Sequence, residues 1–440
     1  MKKTTKLLSA ALVTTLIAGV LALPAAAAGT NYTPVSAQNT SFDKYLLVKD
    51  GEKAPAVTFT YNFAAGTAIA ATASTIQVYP GVGTPTASVS FTASDAAETT
   101  SLNANYTTYK KTVNVDFSGI TFKEPGVYRY VITEDNNAAA GIVYDVDPAD
   151  PTTASGDRTR TLDVYVEDDQ LTTDKDHKNL IVTSYVMYNG TVTTAPPSAT
   201  TGTQGAALTA ATPVQAPAAT QANVADGATK TNRIVNYFDS YTITFGKEVT
   251  GNQGSRDKYF DFTLTLTSPV TETAKVTFHN ADGTVAADVN DATTVSGTNV
   301  QTIDLTANTA VATHFYLQDG QYITVSGLAV NTEYALTEAA EGYTSTAGIV
   351  ESLSTLDWDK DPSTGTDGFD ALTDSVSGTI TTANIHTGFT NDKQGVIPTG
   401  VLLKIAPVAG IAFVVVAGVI FFAVMSVKRR ESEELETENQ

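Results

Sequence analysis

The chain has no cysteine among its 440 residues, and only 16% of its residues are charged. Without cysteine the chain can form no disulfide, so as an extracellular protein it would need some other form of stabilisation. Lysine and arginine number 26 against 46 aspartate and glutamate residues, a formal net charge of −20. A nucleic-acid partner needs a basic surface, and this balance argues against one.

Histidine and short catalytic motifs are also scarce. The four histidines show no metal-ligand spacing, and no nucleophile elbow or phosphate-binding glycine loop is present. The acidic run 357–361 has part of a calcium-loop pattern, but Pro362 stands where the loop needs glycine. We therefore predict no metal and no cofactor, and we rank a surface enzyme behind the non-enzymatic alternatives.

Both ends of the chain carry targeting patterns. Residues 1–28 combine three lysines, the apolar run Leu7–Leu23 and a stretch of alanines, which predicts a secretory signal peptide. An uncleaved anchor helix is the alternative. Near the other end, residues 401–427 predict a transmembrane helix, because the charge-free part Ile405–Val427 would extend ~35 Å. The basic residues that follow predict a cytoplasmic tail over 428–440.

A short motif at 396–400 precedes the predicted transmembrane helix. Ile397, Pro398, Thr399 and Gly400, followed by the apolar span and its basic stop, resemble a sortase cell-wall sorting signal. The resemblance implies that a sortase attacks the Thr399 carbonyl, that Gly400 leaves and that an amine resolves the acyl-enzyme. An ordinary single-pass membrane protein is the alternative.

Between these ends the pattern is almost entirely that of β-strands. The expected strands are short, rich in β-branched and aromatic residues, and separated by Gly, Asn, Asp and Pro turns, which is typical of β-sandwiches. They are Ala56–Phe63, Val113–Phe117, Val127–Thr133, Thr161–Glu167, Leu180–Met187, Tyr241–Val249, Phe260–Thr267, Ala274–His279, Ala312–Tyr316 and Gln321–Val325. Residues 191–231 are rich in Ala, Thr and Pro, which indicates an insertion or an interdomain linker.

The ectodomain also contains an internal repeat. Phe42-Asp-Lys44 recurs as Phe245-Gly-Lys247, and the segment ending in Glu134 recurs as the one ending in Glu338. A weaker match relates the segments ending in Asn236 and Asn391. Because the lysine and the glutamate lie about equally far apart in both copies, we predict two similar β-domains, 31–237 and 238–392.

Strand alternation places a lysine, a glutamate and an asparagine on apolar faces in each copy. Burial lowers the pKa of a lysine and raises that of a carboxylic acid, so a neutral amine and a protonated carboxyl could coexist there. Such an amine could attack the asparagine carbonyl and expel ammonia, which would leave an amide between side chains. A buried ion pair with a hydrogen-bonding asparagine is the alternative. The alternation of side chains along the strands is compatible with the covalent bond and with the ion pair.

Several segments together resemble the streptococcal-type major (backbone) pilin family with its pilin isopeptide-linkage (FctA-like) domain. They include 42–46, 55–59, 122–134 and 141–145 in the first copy, and 245–251, 317–320 and 389–393 in the second. The resemblance implies two tandem immunoglobulin-like (CnaB-like) β-sandwiches, each joined by one Lys–Asn isopeptide bond. Carried over, these are Lys44–Asn236 with catalytic Glu134 and Lys247–Asn391 with catalytic Glu338. Lys49 and Asn232 are the alternatives in the first copy.

The same resemblance predicts an extracellular pilus backbone subunit, made as a membrane-anchored precursor and joined to identical subunits by a sortase. Lys230 stands near the family's intersubunit lysine, with Lys175 and Lys178 as competitors. Minor pilins, peptidoglycan and host surface ligands are the other expected partners. A singly wall-anchored adhesin and a basal or minor pilin remain alternatives, although only four residues separate Asn391 from the sorting motif.

Overall fold

The computed structural model describes residues 40–72, 77–117, 120–154, 157–168, 180–196, 214–215, 228–286, 301–350 and 375–395. Within these ranges every regular element is a β-strand, so the all-β prediction is confirmed there. The described residues contain no helix long and apolar enough to span a membrane. The predicted signal peptide, sorting motif, transmembrane helix and tail lie outside the described residues.

The N-terminal half of the structure comprises strands β1 to β14. They are β1 (Thr40–Lys49), β2 (Val57–Ala65), β3 (Val78–Pro80), β4 (Ala87–Phe91), β5 (Tyr106–Val115), β6 (Gly126–Glu134), β7 (Ile142–Val143), β8 (Val146–Asp147), β9 (Asp150–Ala154), β10 (Thr159–Asp168), β11 (Leu180–Asn189), β12 (Val214–Gln215), β13 (Lys230–Thr231) and β14 (Arg233–Phe238). One sheet has the order β5-β1-β14-β7, and the facing sheet has the order β12-β11-β10-β6-β2-β4. β13 pairs with β11, β3 pairs with β6, and β8 pairs with β9.

The C-terminal half comprises strands β15 to β24. They are β15 (Ser240–Thr250), β16 (Phe260–Thr267), β17 (Glu272–His279), β18 (Thr302–Leu305), β19 (Val311–Leu317), β20 (Tyr322–Ala329), β21 (Glu333–Glu338), β22 (Thr344–Val350), β23 (Ser375–Thr379) and β24 (Ile385–Asp392). One sheet has the order β18-β17-β20-β15-β24-β22, and the other has the order β19-β16-β21-β23.

Alternating burial explains why these segments form layered sheets. In β16 the sequence FDFTLTLT buries every Phe and Leu and leaves Asp and Thr half-buried, which is the period-two pattern of a strand with one core face. The inward residues of each half form one large apolar cluster. Each cluster therefore occupies the space between the two sheets of its half.

The segment expected as an insertion is partly built into the sheets. Near the start of the segment, Val192 is fully buried beside Val186 and Tyr188. At the end of the segment, β13 pairs with β11. The buried Arg129 donates to the carbonyl oxygens of Val192 and Thr194 at 3.2 and 2.8 Å. Both ends of 191–231 are thus held by packing and backbone pairing that composition alone did not reveal.

Apolar packing and buried carboxyl groups join the two halves. Val270 and Ala329 of the C-terminal half belong to the apolar cluster of the N-terminal half. Ser240 donates to the Glu52 carboxylate across the junction at 2.6 Å. Glu272, which lies near Glu52, accepts the Ala329 N–H at 3.2 Å within the C-terminal half. Burial raises the pKa of Glu52, and it raises the pKa of Glu272 to about 8. The junction therefore favours protonated carboxyl groups.

Candidate functional site

The first and last long strands of the N-terminal half place Lys44 beside Asn236. β1 and β14 pair in parallel, with Lys44 opposite Ile234 and Leu46 opposite Asn236. Residues two apart on a strand share a face, so the lysine and the asparagine are diagonal neighbours on the core face of this sheet. Both side chains are completely buried.

Glu134 reaches this pair from the opposite sheet, where it ends β6. Its Oε1 lies 2.6 Å from Lys44 Nζ, and both side chains are 0% exposed. Tyr61, directly across from Glu134 on β2, donates its hydroxyl to the same oxygen at 3.2 Å. The Phe59 ring centroid lies 4.4 Å from Lys44 Nζ. Lys44, Glu134 and Asn236, the N-terminal cluster, thus form a polar group enclosed by aromatic residues.

Burial changes the protonation of this cluster. Desolvation lowers the pKa of the Lys44 amine to about 8, although the Glu134 carboxylate opposes the change. A neutral amine therefore becomes accessible near neutral pH, and neutral amines are nucleophilic. Burial also raises the pKa of Tyr61 well above its usual value, which keeps its hydroxyl a donor.

The Asn236 amide has a fixed orientation. Its Oδ1 accepts a hydrogen bond from the backbone N–H of Asp145 at 2.9 Å. Within the described part of the chain its Nδ2 has no hydrogen-bond partner, and neither has Glu134 Oε2. The carbonyl is thus held by the backbone, while the amide nitrogen and one carboxylate oxygen remain unsatisfied.

The C-terminal half repeats the arrangement with Lys247, Glu338 and Asn391, the C-terminal cluster. β15 and β24 pair in parallel, with Lys247 opposite Phe389 and Val249 opposite Asn391, which is the offset seen in the N-terminal half. Glu338 comes from β21 in the facing sheet, and its Oε1 lies 2.6 Å from Lys247 Nζ. Asn391 Nδ2 donates to the same oxygen at 2.9 Å.

The surroundings of the C-terminal cluster are partly different. The Phe260 ring centroid lies 4.4 Å from Lys247 Nζ, as Phe59 does from Lys44. Phe262 stands opposite Glu338, where the N-terminal half has a tyrosine. The second donor comes instead from β22, where the Ser345 hydroxyl donates to Glu338 Oε2 at 2.9 Å.

The alternative residues lie elsewhere. Lys49 is part-exposed, 3.8 Å from the Asp239 carboxylate, and donates to the Ser240 carbonyl oxygen. Asn232 is half-buried, and its carbonyl accepts the Asp43 N–H at 2.7 Å. Lys230 is half-buried, its strand β13 pairs with β11, and desolvation lowers its pKa. Lys175 and Lys178 lie outside the described residues, as do Ile397, Pro398, Thr399 and Gly400.

The described histidines do not form a site. His279 stacks on Tyr322 with ring centroids 4.3 Å apart, and His314 contacts the Asp261 carboxylate at 2.9 Å. Burial lowers the pKa of His386. No group of metal-ligating side chains occurs among the described residues. His177 and the acidic run 357–361 fall outside them.

Sequence reasoning missed four residues around the clusters: Tyr61, Asp145, Ser345 and Arg160, whose guanidinium pairs with the Asp145 carboxylate. Tyr61 could have been found, because it shares a strand face with Phe59 and faces the repeated glutamate position. The other three left no such signal, since no repeated position points to them and the pairing of their strands was not known.

Comparisons with known proteins find relatives for both halves of the chain. Residues 41–204 match the family described as Spy0128-like isopeptide containing domain, and residues 241–393 match a domain of unknown function, DUF7601. A pilin of Streptococcus pyogenes serotype M1 is 27% identical over 352 residues, covering 78% of this chain and 77% of that protein. The crystal structure of the major pilin from Streptococcus pyogenes aligns with a TM-score of 0.47 and 22% identity, over 82% of this chain and all of the other.

The matching family thus covers an N-terminal domain of the isopeptide-containing type, and the relative that is similar over most of the chain is a pilin. The predicted resemblance to the streptococcal-type major pilins is confirmed, and the chain carries a Spy0128-like isopeptide containing domain at 41–204.

Proposed function

We propose that the chain is the backbone subunit of a sortase-assembled, wall-anchored pilus, and that each of its two domains closes one Lys–Asn isopeptide bond. The observation that carries this proposal is a duplicated geometry. In both halves a completely buried lysine lies 2.6 Å from a buried glutamate and diagonally across a parallel strand pair from a buried asparagine. Two isolated charges would be costly at such positions, and a reaction that removes both charges relieves that cost.

The proposed reaction proceeds within one domain. The neutral lysine Nζ attacks the asparagine Cγ, and the new C–N bond places negative charge on Oδ1. The glutamic acid delivers a proton to Nδ2, the C–Nδ2 bond breaks and ammonia leaves. The proton released from Nζ returns to the glutamate. The products are one secondary amide and one ammonia, so the protein turns over once and is no multiple-turnover enzyme.

The position of the bond suits a load-bearing fibre. Each bond would link the first and last long strands of its half, β1 to β14 and β15 to β24. A folded β-domain without cross-links is held by only ~5–15 kcal/mol. A covalent bridge between the strands that receive the pulling force would prevent them from separating, and it would not be reducible.

Polymerisation requires an acceptor amine on the neighbouring subunit. We propose Lys230 as that acceptor and Thr399 as the acyl donor. Desolvation lowers the pKa of Lys230, which increases its neutral, nucleophilic fraction. Minor pilins, peptidoglycan and host ligands would then be partners of the assembled fibre.

Intact mass tests the cross-links. The recombinant chain from Gly29 to Gly395 should be about 34 Da lighter than its sequence mass, because two ammonia molecules leave. Glu134→Ala and Glu338→Ala should each restore about 17 Da. An unshifted mass would show that neither bond forms, which would contradict the proposed cross-linked fibre.

Polymerisation is tested in cells that express the chain and its sortase. Wall extracts should contain a ladder of covalent multimers, and Lys230→Ala should leave only monomer while both internal bonds persist. Lys175→Ala and Lys178→Ala are the matched controls and should keep the ladder. A ladder that survives Lys230→Ala would assign the acceptor to another lysine.

A further inference from the structure

Asp145 connects β7 to β8 and has an unusual backbone conformation for a buried residue that is not glycine. Its φ is +50°, in the left-handed region, and the residue is 7% exposed. L-residues adopt this region at an energetic cost, although aspartate tolerates it better than most. Such outliers are kept where the surroundings enforce them and are concentrated at functional sites.

Arg160 holds the side chain of Asp145. From the start of β10 its guanidinium donates to both carboxylate oxygens of Asp145, at 2.5 Å from Nη2 and 3.3 Å from Nη1. Arg160 also donates to the carbonyl oxygen of Thr159 at 2.8 Å. A planar, two-point grip of this kind fixes both the position and the orientation of its partner.

The result is a backbone N–H that points at the reacting carbonyl. The Asp145 N–H donates to Asn236 Oδ1 at 2.9 Å in a completely buried setting. In the proposed reaction this oxygen carries the negative charge of the tetrahedral intermediate. A preorganised donor at 2.7–3.1 Å in a water-excluded site is the arrangement that stabilises an oxyanion.

We propose that the Asp145 backbone N–H is the oxyanion donor for closure of the Lys44–Asn236 bond, and that Arg160 is the residue that positions it. The inference rests on the proposed cross-linking function and adds a second catalytic element to it. The C-terminal cluster has no counterpart, because Asn391 Oδ1 accepts no hydrogen bond from the described residues. That cluster orients its amide through Nδ2 and Glu338 instead.

Amide-to-ester replacement gives the most direct test. The full 440-residue chain is made by cell-free translation with the α-hydroxy analogue of aspartate at position 145, which replaces the N–H by oxygen and keeps the side chain. Samples are quenched over time, and the two cross-linked peptides are quantified in the same molecules. The Lys44–Asn236 bond should form about 100-fold more slowly, and the Lys247–Asn391 bond should form at its usual rate.

A matched ester at Ala149 controls for the chemistry. Its N–H also bonds a side-chain oxygen, Asp147 Oδ1 at 2.9 Å, but on the exposed surface. This variant should close both bonds normally. An ester at 145 that leaves the Lys44–Asn236 rate unchanged overturns the inference alone. A wild-type chain in which neither bond forms overturns the cross-linking function, and this inference with it.

Arg160 is tested by a double-variant cycle. Arg160→Met should slow the Lys44–Asn236 bond about tenfold, and Arg160→Lys should recover part of the rate. If Arg160 acts through the Asp145 N–H, Arg160→Met should cause no further slowing in the ester background. Equal slowing in both backgrounds would show a merely structural role and would contradict the assignment.

Discussion

The two clusters share a lysine, a glutamate and an asparagine but differ in the hydrogen-bond donors around them. Lysine, glutamate and asparagine occupy the same strand positions in both halves, with the same lysine–glutamate distance and the same aromatic ring beneath the amine. The N-terminal cluster uses Tyr61 and the Asp145 N–H as further donors, whereas the C-terminal cluster uses Ser345. The fold repeats the positions of these three residues, whereas the hydrogen bonds around them differ between the halves.

The orientation of the asparagine amide shows this difference most clearly. In the N-terminal cluster the carbonyl oxygen is bound and the nitrogen has no described partner, while in the C-terminal cluster the nitrogen is bound and the oxygen has none. In the proposed reaction, the first arrangement would stabilise charge on oxygen, and the second would place the acid beside the leaving nitrogen.

The largest expected effect comes from removing one glutamate at a time. Glu134→Gln should abolish only the Lys44–Asn236 bond, and Glu338→Gln only the other. Each change also leaves a buried lysine without its carboxylate, so the affected half should lose about 3–5 kcal/mol of unfolding free energy. Peptide mass spectrometry and calorimetry measure the two effects. Glu272 is a buried glutamate outside both clusters, so the control variant Glu272→Gln should retain both bonds. Loss of both bonds in any single variant would show that the clusters are not independent.

Glu272 should control the stability of the junction between the halves. Burial raises the pKa of Glu272 to about 8, so the folded state favours the protonated carboxyl. The resulting stabilisation is complete below the ordinary glutamate pKa of about 4.5 and is lost as the pH rises through 8. At pH 8 the free energy of unfolding of Glu272→Gln should therefore exceed that of the wild type by about 2 kcal/mol, with little difference at pH 4.5. Thermal melting at the two pH values measures it. Equal melting curves at both pH values would contradict this.

The pH dependence of Lys44–Asn236 bond formation should show whether the reaction needs the proton that Lys44 and Glu134 share. Burial lowers the pKa of Lys44 to about 8, and the proposed reaction uses one proton of the Lys44–Glu134 pair, which the amine passes to the carboxylate before it attacks. Above pH 8 the pair loses that proton, so the Lys44–Asn236 rate should fall about tenfold per pH unit and should be level just below pH 8. Quenched time courses measure it. A rate that keeps rising to pH 9 would mean that the neutral amine suffices without the acid.

The smallest expected effect concerns the donors to each carboxylate. Tyr61→Phe should slow only the Lys44–Asn236 bond, and Ser345→Ala only the Lys247–Asn391 bond, each about fivefold, as one hydrogen bond is worth about 1 kcal/mol. Phe262→Tyr then places a hydroxyl opposite Glu338 and should restore the rate in the Ser345→Ala background. A Ser345→Ala effect on both bonds would point to general destabilisation.

The sequence predicted the lysine, glutamate and asparagine of each cluster better than the hydrogen-bond donors around them. Strand alternation and the repeat placed Lys44, Glu134 and Asn236 on inward faces, because a period of two and a fixed spacing are visible in the residue order. The observed β16 has the predicted bounds, but β5 begins at Tyr106, well before the expected Val113, because its early residues are mostly polar and lack a clear alternation.

The remainder depends on strand order and loop conformation. The Asp145–Arg160 pair forms because a left-handed turn after β7 meets the start of β10, and neither the turn nor the contact leaves a periodic pattern. The burial of Glu52 and Glu272 was likewise unpredictable, because it depends on tertiary packing that leaves no periodic pattern in the sequence.

A bond between the paired strands β1 and β14 would change how the chain responds to proteolysis. Lys44 and Asn236 lie near the two ends of their half, so with the bond in place every peptide bond from 45 to 235 lies within a covalent ring. A protease that cuts anywhere in this ring opens it but does not divide the molecule, because the side-chain amide still joins the flanking segments. A fibre of such subunits would keep its continuity after one cut in each ring, and its subunits would not separate on a denaturing gel.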